Sequence, residues 1–360
     1  MAPASSERGD AAFGPDQIPE FRRALLRWYR RHRRRLPWRE EPSLYKTVVS
    51  EFMLQQTQVA SMLGHFDRWL RRFPDFETLT AAPEADVLKH WEGLGYYNRA
   101  RNLRRLAVTL ADGRKIPRDP EAWRALPGVG PYTAAAVTSI TFGARVACVD
   151  GNVVRILARI DADEHEYPDT ATAAKAHTER AAELLDPRHP GDHNQAMMEL
   201  GATVCTRRRP RCATCPVHTF CRAAARGMVE NHPRLAARAI ETREVTRLWC
   251  RRADRLLLHQ AEATSRRLAN QYELPQPVHL GLTDDGAKNL GPMLARKTRH
   301  ITRHRIREII HEFPANRVAR TPATAGLAWV PLDRIEKLTL SGPHRRWVRE
   351  LLKREEGLSR

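Results

Sequence analysis

Over residues 21–220 the apolar positions recur at three- and four-residue spacing, the period of helices with one buried face. Phe21, Leu25, Trp28 and Tyr29 open the series. Short punctuation separates the later runs: Phe73-Pro74-Asp75, Ala82-Pro83-Glu84, Pro117-Arg118-Asp119-Pro120 and Gly143. There is no internal repeat, and no segment of this half alternates convincingly as a strand. The texture changes after residue 242. Apolar runs at 248–251 and 256–259 flank Arg252-Ala253-Asp254-Arg255, which predicts a hairpin, and residues 327–330 predict another strand. Ser341-Gly342-Pro343 opens an amphipathic helix through Trp347, Leu351 and Leu352, with Ser341 as its N-cap. The isoleucines of residues 300–311 fit a helix and a strand equally. Residues 222–239 are rich in Ala and Arg and contain Asn231-His232-Pro233. The expected organisation is a disordered tail at 1–19, an all-α domain at 20–228, a linker at 229–241 and an α+β domain at 242–360. A chain ended at the linker is expected to fold alone.

The length of 360 residues suits two domains, each large enough to bury a core without disulfides. Lys and Arg number 61 against 42 Asp and Glu, a net charge of +19. Such an excess favours a polyanionic partner, because each neutralised phosphate releases counterions. An arginine-rich composition with no such partner is the bland alternative. Residues 21–39 sharpen the choice, with nine Arg and no acid: one helix face can pack while the other meets phosphate. No run approaches ~20 apolar residues, and the N-terminus lacks the apolar core of a signal peptide. The expectation is a monomeric cytoplasmic protein with no membrane partner.

Four of the six cysteines, Cys205, Cys212, Cys215 and Cys221, follow the spacing C-x6-C-x2-C-x5-C. Soft thiolates this close hold either one zinc ion or one 4Fe–4S cluster, and spacing alone leaves both open. Arg207, Arg208, Arg209 and Arg211 fill the first loop. Cys148 lies in an apolar run and reads as a buried structural thiol. Leu126-Pro127-Gly128-Val129-Gly130-Pro131 joins two helical stretches. Gly128 and Gly130 permit a tight turn with free N–H groups at a helix start, a phosphate-binding arrangement as well as an ordinary turn. Asp150 precedes a helical run and suits an N-cap. Glu51 sits in a mostly apolar helix, where a carboxyl with a raised pKa serves as a general acid. Gln55, Gln56 and Thr57 follow it.

Taken together these segments resemble the adenine DNA glycosylase (MutY) family, within the helix-hairpin-helix, endonuclease III superfamily. The resemblance runs through Pro37-Trp38-Arg39, the run 50–59, the run 93–103, the run 126–133, the run 149–155, Asn194-Gln195-Ala196-Met197-Met198 and the four cysteines. It implies an all-α helix-hairpin-helix glycosylase domain with a 4Fe–4S cluster loop, followed by an α+β Nudix-like domain. By resemblance the cysteines hold iron–sulfur rather than zinc. Glu51 then protonates adenine N7, and Asp150 stabilises the sugar cation with support from Tyr132 and Asn152. Arg39 and Gln195 meet the extruded adenine, and Gln56, Thr57, Leu94 and Tyr96 enter the duplex. Gly128 and Gly130 contact phosphate. Endonuclease III-type enzymes carry a lysine just after the hairpin; here Pro131-Tyr132-Thr133 offers none, which implies base removal without strand cleavage. Asn270-Gln271-Tyr272-Glu273-Leu274-Pro275 fits the second domain. His304 falls where the family reads 8-oxoguanine, whereas Thr302 and Arg303 depart from its usual Phe-Ser. No hydrolytic Nudix box is found. The implied substrate is double-stranded DNA with adenine opposite 8-oxoguanine or guanine. The alternatives are a glycosylase for another mispaired base, such as thymine opposite guanine, and a non-catalytic iron–sulfur DNA-binding protein or redox sensor.

Overall fold

The computed structural model describes residues 13–111, 115–237, 240–262, 264–265, 269–282, 290–301, 304–318 and 326–358. The chain divides into two compact units, each assembled from two stretches: residues 1–56 with 105–237, and residues 57–104 with 238–360.

The first unit is helical. It holds α1 (Ile18–His32), α2 (Pro37–Glu40) and α3 (Leu44–Leu54). The chain returns to it for α8 (Pro120–Arg124), α9 (Pro131–Phe142), α10 (Gly151–Ile160), α11 (Thr170–Ala176), α12 (Thr178–Leu184), α13 (Pro190–Thr203) and α14 (Arg222–Ala225). Helix α13 is the hub, packing on α1, α9 and α10. Its core unites Phe21, Leu25 and Tyr29 of α1 with Val153, Ile156 and Leu157 of α10 and Ala196, Met197 and Leu200 of α13. This is the stripe that the apolar period predicted. Part of the expected tail departs from disorder. Phe13 is buried against Phe21 and Phe220, with ring centroids 5.3 and 5.2 Å away, and α1 begins at Ile18. An aromatic side chain that finds two aromatic partners anchors the backbone around it. The tail's residues 1–12 lie outside the described residues. Two short strands, β1 (Glu166–Tyr167) and β2 (Arg234–Leu235), pair in parallel. Part of the stretch expected as a linker is thereby tied to the helical unit.

The second unit combines α4 (Val59–Arg72), α5 (Phe76–Ala81) and α6 (Glu84–His90) with the C-terminal β-rich region. Helix α7 (Asn98–Ala111) runs across the division. The strands are β3 (Glu241–Trp249), β4 (Arg251–Arg252), β5 (Arg255–Gln260), β6 (Tyr272–Glu273), β7 (Met293–Ile301), β8 (His304–Glu312) and β9 (Leu327–Pro331). One sheet has the order β3-β8-β7, with β3 and β8 parallel and β8 and β7 antiparallel. The other is β4-β5-β6 with β9 on β5. The predicted hairpin is β4–β5, and residues 300–301 and 304–311 form the end of β7 and most of β8 rather than a helix. Buried Glu308 fixes that register, accepting from Arg247 of β3 and Arg299 of β7, each at 2.6 Å. A buried carboxylate needs such partners. After α15 (Ala315–Val318) and β9 the chain closes with α16 (Gly342–Leu358). Ser341 precedes it as expected, and its carbonyl accepts from Arg345 N at 3.0 Å. Its hydroxyl, however, has no hydrogen-bond partner, so the cap is made by the backbone and not by the side chain.

The early helices at residues 57–104 share their unit with the C-terminal region. Within the second unit, Tyr97 donates to the Leu340 carbonyl at 3.3 Å, Arg101 to the Ala269 carbonyl at 2.6 Å and Arg345 to Glu92 at 2.9 Å. A cut at 237 removes the partners of all three.

Candidate active site and cysteine centre

Helix α3 is buried on nearly every side, from Tyr45 and Thr47 to Met53. It starts where Ser43 caps Lys46 N at 3.1 Å. Glu51 therefore enters the interior with its backbone, and its side chain is shielded from water. Burial raises its pKa to about 7; the Tyr132 hydroxyl lowers it, the Asp150 charge raises it and Arg39 lowers it. At neutral pH such a carboxyl holds its proton about half the time, the condition a general acid needs. Tyr132 stands in the first turn of α9, its hydroxyl against Glu51 and 3.3 Å from the Met198 sulfur.

Asp150 is the N-cap of α10. Its Oδ1 accepts from Asn152 N at 2.9 Å and Val153 N at 2.8 Å. Its Oδ2 accepts from the Asn152 side-chain amide at 2.9 Å, and Arg155 in turn donates to Asn152 Oδ1 at 2.9 Å. The cap reading and the active-site reading thus fall on one residue. Asn152 reaches this position because α13 carries glycine at 201, where a Cβ would stand 2.6 Å from Asn152 Cβ.

Arg39 follows Trp38 in α2 and donates from Nε to Gln195 Oε1 at 3.1 Å, so the structure brings these two expected contacts together. Its Nη1 donates to Glu199 Oε2 at 2.9 Å, and its guanidinium lies 5.6 Å from the Tyr29 ring centroid. Glu199 is fully buried and also receives Arg34 through Nε at 2.6 Å and Nη2 at 3.0 Å. Burial opposes its charge, but the two arginines win and hold its carboxyl below the usual range. Sequence reasoning missed Glu199. Its signal was the spacing of four from Gln195, which places both on one face of α13. Gln55 reaches Thr133 Oγ1 at 3.3 Å, tying the end of α3 to α9. Asn194 is structural: it accepts from Cys148 N at 3.0 Å and donates to Ser139 Oγ and the Val146 carbonyl, both at 2.9 Å. Between α8 and α9, Gly128 has φ 74°, the left-handed turn that glycine serves. Gly130 is the extended N-cap of α9, with nothing within 4 Å of where a Cβ would stand.

Gln56 lies just past α3 at φ 58°. In the second unit, Tyr96 is 47% exposed at φ 47°, whereas Leu94 is buried. Arg99 supports that loop from beneath, donating to the Leu94 carbonyl at 2.9 Å, the Gly95 carbonyl at 3.2 Å and Thr57 Oγ1 at 3.3 Å. Of the residues expected to enter a duplex, Tyr96 projects and Leu94 packs inward. His304 opens β8, largely buried, with Nδ1 3.2 Å from the Glu241 carboxylate. Thr302 and Arg303 lie outside the described residues.

Cys205, Cys212, Cys215 and Cys221 are free thiols that line one small cavity. Among the described residues, the potential metal ligands whose atoms crowd within 4.8 Å of one another are His259, Glu273 and His279; the cysteines form no such group. Four soft thiolates around one cavity suit a metal centre. Buried Arg159 braces the site, donating to Cys205 Sγ at 3.2 Å, the Thr206 carbonyl at 2.8 Å and the Arg207 carbonyl at 3.1 Å. Burial raises the Cys215 thiol to about 12 and the Cys221 thiol to about 11, so a metal centre must displace their protons.

Residues 49–183 match the model of the HhH-GPD superfamily base excision DNA repair protein. The chain is 43% identical over 232 residues to adenine DNA glycosylase of Homo sapiens, an alignment covering 61% of this chain and 42% of that protein. It is 42% identical over 207 residues to adenine DNA glycosylase of Mycolicibacterium smegmatis, covering 56% of this chain and 69% of the relative. The chain thus spans about two-fifths of the length of the mammalian relatives it matches. Among solved structures, a thermostable thymine-DNA glycosylase superposes with a TM-score of 0.51 and 28% identity, over 59% of this chain and 98% of that one. A non-covalent endonuclease III–DNA complex superposes with a TM-score of 0.50 and 21% identity, over 60% and 98%, a likeness of fold. With the helical unit, the hairpin turn and the sequence identity in agreement, the chain belongs to the adenine DNA glycosylase family.

Proposed function

We propose that this chain is a monofunctional DNA glycosylase that removes adenine mispaired with 8-oxoguanine, or with guanine, from double-stranded DNA. The observation that carries the reading is the pair of carboxylates in unlike surroundings: Glu51, buried and titrating at about 7, and Asp150, held by backbone N–H groups and an amide. An enzyme acting on a stacked base must extrude it. Neutral Glu51 then gives its proton to adenine N7 as the C1′–N9 bond breaks and its electrons leave with the base. Asp150 stabilises the oxocarbenium-like sugar. Water adds to C1′, and its surplus proton restores Glu51. Two carboxyls with separate protonation states suit this division of labour. Tyr132 and Asn152 hold the two carboxyls in place, and Arg39 and Gln195 bind the extruded adenine.

Gly128 and Gly130 present the start of α9 to a phosphate. Gln56, Thr57 and Tyr96 fill the place of the extruded base, and buried Leu94 backs the loop that carries Tyr96. The C-terminal β-rich region is a Nudix-like domain that reads the opposite base, with His304 as its contact. Cys205, Cys212, Cys215 and Cys221 hold a 4Fe–4S cluster, which braces the arginine-bearing loop against the helical unit. No lysine adjoins Tyr132, so no Schiff base forms there. The protein acts as a monomer in the cytoplasm; among the described residues no helix is long and apolar enough to cross a membrane.

The test is single-turnover cleavage of duplexes with adenine, thymine or uracil opposite guanine or 8-oxoguanine, with and without alkali and with borohydride. Adenine release, strand scission only after alkali and little trapped complex are expected. Preferred release of thymine, or efficient scission without alkali, would overturn the reading.

A further inference from the structure

Helix α1 has a second face. Phe21, Leu25 and Tyr29 point into the core, while Arg23, Arg27, Arg30 and Arg31 recur at spacings that form one stripe on the opposite side. With Arg188 and His189 from the turn before α13, they line one surface cavity. That turn is built: Asp186 Oδ1 accepts the backbone N–H groups of Arg188 and His189, both at 2.9 Å.

Other arginines in this stretch have acceptors. Arg22 donates to the Glu183 carbonyl at 2.8 Å and the Leu184 carbonyl at 3.1 Å, and Arg34 to Glu199. Arg30 stands 3.8 Å from Asp192, an ion pair too long to be a hydrogen bond. Arg23, Arg27 and Arg31 have no hydrogen-bond or ion-pair partner among the described residues. Clustered cations of this kind repel one another and focus a field that an anion relieves. From Arg23 to Arg31 the helix rises about 12 Å, the reach of roughly three nucleotides of one strand at ~3.4 Å each. A single phosphate would neutralise only part of the row.

We propose that this cavity binds the phosphate backbone of duplex DNA outside the pocket around Glu51. The inference rests on the proposed action on DNA and adds a second place of contact. Tyr29, which underlies Arg39, faces the other way from the stripe, so duplex held here is engaged separately from the extruded base.

The experiment uses the full chain, the double variant Arg27→Glu/Arg31→Glu and the milder Arg27→Ala/Arg31→Ala. All four side chains of the stripe are exposed, so both variants are expected to melt with the parent. Equilibrium binding is measured against salt on a short duplex spanning only the mismatch and on a long one. On the long duplex the logarithmic salt slope should become shallower by about two, with affinity near 0.1 M salt about ten- to a hundredfold weaker. The short duplex should change little, and single-turnover base removal from the bound short duplex should be retained. Parent-like slopes and affinities on the long duplex would overturn the proposal. So would variants that lose binding to a polyglutamate chain while keeping the parent's duplex slope, since these place an acidic protein in the cavity. A parent that removes no adenine while the slopes shift as expected refutes the proposed chemistry and leaves the phosphate site standing.

Discussion

Asp150 and Asn152 are joined twice: the backbone N–H of Asn152 binds one carboxylate oxygen of Asp150 and its side-chain amide binds the other, each at 2.9 Å. The first bond starts a helix, and the second orients the oxygen assigned to the sugar. The two duties separate by substitution. Asn caps helices about as well as Asp, whereas Ala costs ~1 kcal/mol. Asp150→Asn should melt close to the parent and lose nearly all base removal. Asp150→Ala should lose base removal and also melt several degrees lower. Equal melting losses in both, read by calorimetry, would contradict the division.

The position of Glu51 gives a pH signature. Its carboxyl titrates at about 7 in the fold and near 4.5 when unfolded. The folded state therefore binds the extra proton, and the stability this gives is complete below about pH 4.5 and lost as pH rises through 7. Across that window the loss amounts to about 3 kcal/mol. Glu51→Gln should remove this slope, so that its stability relative to the parent rises between pH 5 and pH 8. The parent's base-removal rate should fall above pH 7. The variant should lose ~10²–10⁴-fold in rate; near-parental turnover would remove Glu51 as the acid.

The cysteine centre is tested by colour and metal content. Protein purified without oxygen should be brown, with broad absorption near ~400 nm from thiolate-ligated iron. Cys215→Ser should lose colour and stability together. A colourless, active protein with one zinc per chain would falsify the iron assignment.

His304 carries the proposed reading of the opposite base, and its burial against Glu241 makes the test two-sided. His304→Ala should narrow the 8-oxoguanine-to-guanine preference by roughly 5- to 150-fold, the value of a lost polar contact of ~1–3 kcal/mol. The excision step with guanine opposite should be kept. An unchanged ratio with a lowered melting temperature would make the residue a strand-pairing element only.

Much of the first unit was legible because its causes are local. The period of Phe21, Leu25 and Tyr29 marks a buried helix face, Asp150 caps the helix it precedes, and Gly128 sits where φ turns positive. Glu199 was half legible: its spacing of four from Gln195 marks its face of α13, but nothing along the chain tells that Arg34 and Arg39 converge on it. In the second unit the β4–β5 hairpin and α16 follow from neighbours in sequence. The parallel pairing of β3 with β8 depends on Glu308 meeting Arg247 and Arg299, a relation between distant residues. For the same reason residues 300–311 read as helix or strand with equal ease. The membership of residues 57–104 in the second unit was hidden too, because their apolar period looks like that of their neighbours.

Glu92 and Arg345 are 253 residues apart in the chain. During synthesis at about 5–20 residues per second, Arg345 is made roughly 13–50 s after Glu92. The early helices of the second unit thus leave the ribosome well before the segment that completes their packing. The first unit meanwhile receives its last residues at about position 237, before most of the second unit has been made. Folding order is then set by chain emergence: the first unit is complete before the second. A late-acting mutation in α16 should leave nascent chains with an assembled first unit and an open second one, a difference that limited proteolysis of stalled chains would reveal.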